Sequence, residues 1–159
     1  MELTTLIAKP AKDYELLDSG TGEKLERCGP YLLRRPDPVA SWKKSLPESE
    51  WKKADAVFLQ GEESKGWRKK DGMAEEWEIS LGGLRFRIKP SAFKHVGVFP
   101  EQEPNWAWIS DIIRKTDRTV KVLNLFGYTG GATLAAAAAG AEVSHVDGSK
   151  TAVARAKED

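Results

Sequence analysis

Cysteine is almost missing from this sequence: Cys28 stands alone, which excludes an intrachain disulfide and a cysteine-rich zinc site. Two histidines, His95 and His145, make no metal centre by themselves, and no metal is expected. No apolar run approaches the roughly 18 residues of a membrane span; the longest is the alanine stretch before Gly140. Neither sign of charge dominates, since 25 Lys and Arg against 24 Asp and Glu leave a formal +1. That balance excludes a strongly basic, histone-like nucleic-acid module and leaves room for a local basic patch. The opening Met1–Ile7 segment is short, carries Glu2, and leads to no small-residue cleavage site, so no secretory leader is expected. A soluble, cytoplasmic protein is the reading these absences leave.

Tryptophan, by contrast, is abundant: six in 159 residues, five of them before residue 107. A mass of 17.6 kDa suffices for one compact domain, or for a small module joined to part of a larger one. The two ends differ in texture. Early in the chain, short apolar runs (Tyr14–Leu17, Tyr31–Leu33, Ala56–Leu59) alternate with turn signals such as Asp18-Ser-Gly-Thr-Gly22 and Arg35-Pro-Asp-Pro38. Trp77, Ile79 and Leu81 alternate with polar residues, as do Leu84, Phe86 and Ile88. Gly82-Gly83 between them fits a two-residue turn, which predicts a hairpin with one apolar and one charged face. Residues 1–90 thus read as a small β-rich module.

Residues 91–118 read as a connecting strand and helix. His95–Phe99 is extended or a short strand, and Pro100 suits the first turn of a following helix. Trp106, Ile109, Ile112 and Ile113 recur at helical spacing. From 119 to 159 the pattern becomes β-loop-α-β-α, the opening of a doubly wound sheet. Val120–Phe126 is a strand expected to be buried on both faces. Gly127-Tyr-Thr-Gly-Gly131 turns the chain into an alanine-rich helix, Gly140 follows that helix, and Ala141–Val146 is the next strand. Ser149 is positioned to cap a last helix. The expected class is α/β: the N-terminal part of a Rossmann-like sheet preceded by a small β-rich domain.

Asp147 closes the second strand, 17 positions after Gly130. A glycine loop followed by a carboxylate at the next strand end can seat an adenosine ribose, with the helix N-terminus facing an anionic group. The same glycines also serve a purely structural turn, and spacing alone leaves both readings open. The G-x-G-x-x-G fingerprint of dinucleotide sites is absent, and no Lys-Ser or Lys-Thr follows as a phosphate loop requires. A nucleoside without a pyrophosphate remains, and S-adenosylmethionine is its leading case.

The stretch Val122-Leu-Asn-Leu-Phe-Gly-Tyr-Thr-Gly-Gly131, then Gly140-Ala141 and Val146-Asp-Gly-Ser-Lys150, resembles the class I S-adenosylmethionine-dependent methyltransferases. Within them it is most similar to the branch containing large-subunit ribosomal RNA methyltransferases. Gly97-Val-Phe-Pro-Glu-Gln102 with Asn105 resembles a segment that precedes the catalytic domain in that branch. The resemblance implies that Phe126, Gly127, Tyr128, Thr129, Gly130 and Gly131 shape the cofactor loop, that Asp147 holds the ribose hydroxyls, and that Gln102 lies near the cleft. Asn124 stands where an acidic residue is usual. Family members also run on through a second half with a D-P-P-like loop at the target base. The chain is therefore expected to be a partial methyltransferase, inactive alone, with uncovered apolar sheet surface and catalytic residues unassigned.

Outside that stretch, Trp42-Lys-Lys44, Trp51-Lys-Lys53 and Trp67-Arg-Lys-Lys70 set an aromatic beside cations. Such clusters stack bases and neutralise phosphates, or else anchor a core with lysines pointing outward. Glu48, Glu50, Glu62 and Glu63 would weaken the positive field. With the resemblance, RNA is the preferred partner; a small-molecule or protein methyltransferase and a non-catalytic RNA-binding scaffold are the alternatives. Cys28 reads as a packed residue rather than a nucleophile.

Overall fold

The computed structural model of the protein describes residues 5–61, 65–90 and 94–158. Glu62, Glu63 and Met1–Thr4 lie outside the described residues. The chain divides into two units. One comprises Lys9–Ser80 and Arg87–Gly97, the other residues 5–8, 81–86 and 98–158.

The first unit is built on a five-stranded sheet in sequence order: β1 (Tyr14–Gly20), β2 (Glu23–Cys28), β3 (Tyr31–Pro36), β4 (Ala56–Gln60) and β5 (Lys65–Lys69). Neighbours are antiparallel except β3 and β4, which run parallel. Parallel neighbours require a crossover, and the short helix α1 (Glu48–Trp51) lies in it. Trp51 of α1 is fully buried against Leu25 and Ala54. Its indole Nε1 donates to Asp18 Oδ2 at 3.0 Å, while the backbone amides of Ser45 and Leu46 donate to the same carboxylate. One acid thereby satisfies the crossover loop and the buried indole together.

Charged residues also lie inside the sheet. Glu26 is fully buried and takes two hydrogen bonds from the guanidinium of Arg35, itself 4% exposed, and one from the Tyr14 hydroxyl. Burial pushes the Glu26 carboxyl upward, but Arg35, Lys24 and these donors outweigh it and hold the group below its ordinary value. Cys28 is packed nearby, and burial, reinforced by Glu26, pushes its thiol up to about 12. That environment disfavours the thiolate a nucleophile needs.

The expected hairpin forms as β6 (Trp77–Leu81) and β7 (Leu84–Ile88). Gly82 and Gly83 both have positive φ, 60° and 77°, as a type I′ turn requires. His95–Phe99 forms no strand.

In the second unit a 3-10 turn, Pro100–Gln102, leads into α2 (Glu103–Arg114), with Pro104 accommodated in its first turn. Then follow β8 (Lys121–Leu125), α3 (Gly131–Ala138), β9 (Glu142–Val146) and α4 (Lys150–Ala156). β8 and β9 pair in parallel, from Lys121 opposite Glu142 to Leu125 opposite Val146. α3 packs on both strands and against α2, where the Ser110 hydroxyl donates to the Ala135 carbonyl. Ser149 caps α4 as expected, accepting from the Ala152 amide.

One expectation fails here. The apolar run Val120–Phe126 predicts burial on both faces, but Leu123 is 62% and Leu125 54% exposed. α3 covers one face of the strand pair, and among the described residues nothing covers the other. Sequence composition reported the face a parallel strand needs to bury, not the partner that would bury it.

Candidate cofactor cleft

The carboxyl ends of β8 and β9 and the turn after β8 are where an open α/β sheet places its ligand. The turn is held in an uncommon conformation. Phe126 (φ 55°), Tyr128 (φ 50°) and Gly130 (φ 95°) alternate in the left-handed region. Side chains at such angles cost about 1–3 kcal/mol each and persist only where their surroundings enforce them. Here the enforcement is visible. Gly127 N donates to the Val146 carbonyl at 3.0 Å, and Gly130 N donates to the Gly127 carbonyl at 2.9 Å. Tyr128 N donates to Asp147 Oδ2 at 2.9 Å, and its ring lies 4.9 Å from that of Phe99.

Asp147 Oδ1 also accepts from Ser149 N at 2.7 Å. The Ser149 and Tyr128 amides lower the Asp147 pKa, so the carboxylate is charged at neutral pH and keeps lone pairs for further donors. α3 begins at Gly131 with no side chain capping its first turn. Its leading amides therefore face outward with the positive end of the helix dipole.

Two glycines are required by contact. A Cβ on Gly131 would stand 2.8 Å from Trp106 Cε2 and nearer still to Cζ2. A Cβ on Gly127 would stand 2.6 Å from His145 Nδ1 and nearer still to Cε1.

A cleft of about 460 Å³ opens at this turn. That volume lies within the range of small-molecule sites, about 300–1,000 Å³. Of the eight residues expected at the site, Gln102, Phe126, Gly127, Tyr128, Thr129 and Gly131 line it. Gly130 and Asp147 do not; they hold the loop through the bonds given above. Thr129 is 3% exposed and Phe126 91%, so within one loop the former is packed and the latter presented. Trp106, Val98 and Ala132 also line the cleft and were missed. Trp106 carried only a helix-periodicity signal, and nothing in the sequence paired it with Gly131.

A larger hollow of about 790 Å³ lies in the first unit, bordered by Arg34, Lys52, Val57, Leu59, Arg68 and Lys70. It lacks the left-handed turn and helix start that border the smaller cleft, and the strand-end acid bonded to that turn. The tryptophan–lysine clusters resolve into different roles. Trp51 is a buried anchor with Lys44 Nζ 3.8 Å above its ring, Trp67 packs edge-on against Phe58, and Trp42 is 56% exposed. Among the described residues no three His, Cys, Asp or Glu side chains are grouped to hold a metal, and no helix is long and apolar enough to cross a membrane.

The fold of this chain is similar to that of solved structures named as S-adenosylmethionine (SAM)-dependent methyltransferases. One of them is the SAM-dependent methyltransferase from Agrobacterium tumefaciens. It is 49% identical over 94% of this chain, with a TM-score of 0.87. The chain spans 48% of that protein's length. A protein from Streptococcus mutans assigned to the same class shares 18% identity over 92% of this chain and 41% of its own, with a TM-score of 0.66. A third, assigned as a methyltransferase and solved with SAH (S-adenosylhomocysteine), shares 17% over 92% and 41%, with a TM-score of 0.63. The last two likenesses speak for the fold alone. No protein-family model and no curated protein sequence matches the chain.

Proposed function

We propose that this chain holds S-adenosylmethionine in the cleft at the β8–α3 turn and serves methyl transfer to a nucleophilic acceptor. The observation that carries the reading is the convergence of a charged Asp147, an uncapped α3 N-terminus and a cleft of fitting volume on one strained loop. The donor set suits the group: the Asp147 carboxylate, bonded to the cleft's Tyr128, for ribose hydroxyls, backbone amides for an amino-acid carboxylate, and Phe99, Phe126 and Trp106 of the lining for the adenosine faces. S-adenosylmethionine supplies an electrophilic sulfonium methyl group when bound. The residues of this chain bind and orient: Asp147 fixes the Tyr128 amide, Asn105 fixes Gln102 by donating to its Oε1 at 2.8 Å, and Trp106 sets the height of α3. Placement of nucleophile, methyl and sulfur in line would do most of the work. Photocrosslinking with labelled S-adenosylmethionine tests the site. Label mapped to peptides spanning 99–106 and 124–132 is expected, and label elsewhere would move the site.

For the acceptor, a base of ribosomal RNA is the reading we favour, in the cytoplasm, where the lone buried thiol of Cys28 needs no protection. Its support is the exposed Trp42 next to Lys43 and the cations bordering the first unit's hollow. Salt-sensitive retention of ribosomal RNA, reduced by charge reversal at Lys43 and Lys52, is the expected outcome. Retention independent of salt, or unchanged by reversal, would favour a small-molecule or protein acceptor.

A further inference from the structure

Beneath the turn, three side chains from three elements form a polar chain. Asn124 of β8 donates from Nδ2 to Thr133 Oγ1 of α3 at 2.8 Å, and that hydroxyl lies 2.8 Å from His145 Nδ1 of β9. The imidazole is wedged where Gly127 has no side chain, with its Cε1 edge against the glycine. His145 Nε2 is buried and has no hydrogen-bond partner.

The polarity of this chain decides what Asn124 offers to the cleft it lines. The threonine oxygen receives the Asn124 amide proton and has one proton of its own to give. His145 Nδ1 is the acceptor within reach. Run in that direction, every group between the strands is used once, and the imidazole proton sits on Nε2. The amide of Asn124 is then fixed with nitrogen toward Thr133, and its carbonyl oxygen is the atom left over for a ligand.

We propose that Asn124, Thr133 and His145 form a one-directional hydrogen-bond relay that presents Asn124 Oδ1 as the acceptor for the ammonium group at the amino-acid end of the bound cofactor. Asn124 is the contacting residue, and Thr133 and His145 are positioning residues. This rests on the cofactor reading above. It also explains an amide where a carboxylate would serve electrostatically: a carboxylate has no proton to start the relay.

The test has two parts. In the ligand-free chain, nitrogen-15 NMR of the imidazole in mildly alkaline buffer reads the tautomer. The relay requires the proton on Nε2 in the native protein and on Nδ1 in Asn124→Asp, because the threonine proton then turns toward the new carboxylate. A proton on Nδ1 in the native protein, or no change in Asn124→Asp, overturns the relay. In binding, Asn124→Ala and His145→Leu are expected to weaken S-adenosylhomocysteine about tenfold or more while leaving methylthioadenosine, which lacks the amino-acid end, unchanged. His145→Asn, which restores an acceptor at the Nδ1 position, is expected to recover most of the loss. Equal weakening of both ligands would mean that the trio only supports the fold and would overturn the ammonium contact. If the native chain binds neither ligand, the cofactor reading fails and the contact with it, while the tautomer still decides the relay.

Discussion

Replacing Gly131 by alanine sets two opposed effects against each other. Alanine favours a helical position over glycine by about 1 kcal/mol. The new methyl, however, would stand 2.8 Å and 3.1 Å from Trp106 Cε2 and Cη2. Carbon atoms rest at about 3.5–4.0 Å, so α3 or the indole must move by about 1 Å. The indole has little room, being 6% exposed with its ring 5.3 Å from that of Phe86. Overpacking costs about 1–3 kcal/mol, and approaches this short against a boxed-in ring put this case in the upper half, about 2–3 kcal/mol, so after the helix gain Gly131→Ala should be net destabilising by about 1–2 kcal/mol. That corresponds to roughly 2–8 °C in Tm for a chain of this size. Native-state hydrogen exchange of the α3 amides reads the effect in the unit that carries it. The decisive control is the same substitution in a Trp106→Leu background, where the collision is gone and the alanine increment should become neutral or stabilising. An equal penalty in both backgrounds would refute the steric reasoning.

Three other outcomes follow from the first unit. Because the Glu26 carboxyl is held below its ordinary value of 4.5, its contribution is complete above that pH and is lost as pH falls through the depressed value. Glu26→Gln should leave Arg35 as an uncompensated buried cation, costing about 3–5 kcal/mol at neutral pH, and should flatten the acid limb of the melting profile; an unaltered acid limb would contradict the assignment. Asp18→Ala strips the Trp51 indole and the Ser45 and Leu46 amides of their acceptor and should cost about 2–3 kcal/mol by urea denaturation. With its thiol at about 12, Cys28 should resist thiol reagents in the folded chain and react on unfolding; rapid native labelling would show that the pocket opens.

How much of this was legible in the sequence depends on how local each signal is. The hairpin at Trp77–Ile88 was readable because period two and Gly82-Gly83 agree. The β8–α3–β9–α4 run was readable because strand, turn, small-residue helix and cap each carry their own mark. β2 was not, because Glu-Lys-Leu-Glu-Arg-Cys hides a buried ion pair under an apparently exposed pattern. β5 was not, because a charged strand with an internal glycine is a strand only through its pairing with β4. At the site, the loop residues were visible as types. Their division into lining and bracing members, and the dependence of Gly127 on His145 and Gly131 on Trp106, arise from contacts distant in sequence.

The claim that the β8–α3 turn is a cofactor site is tested most directly by calorimetric titration of S-adenosylhomocysteine into the native chain and into Asp147→Ala. Saturable one-to-one binding, weakened at least tenfold by removing the carboxylate that braces Tyr128 and is proposed to take the ribose hydroxyls, is the predicted result. Binding of equal strength to both proteins would contradict the site, and a folded native chain that binds nothing would contradict the function.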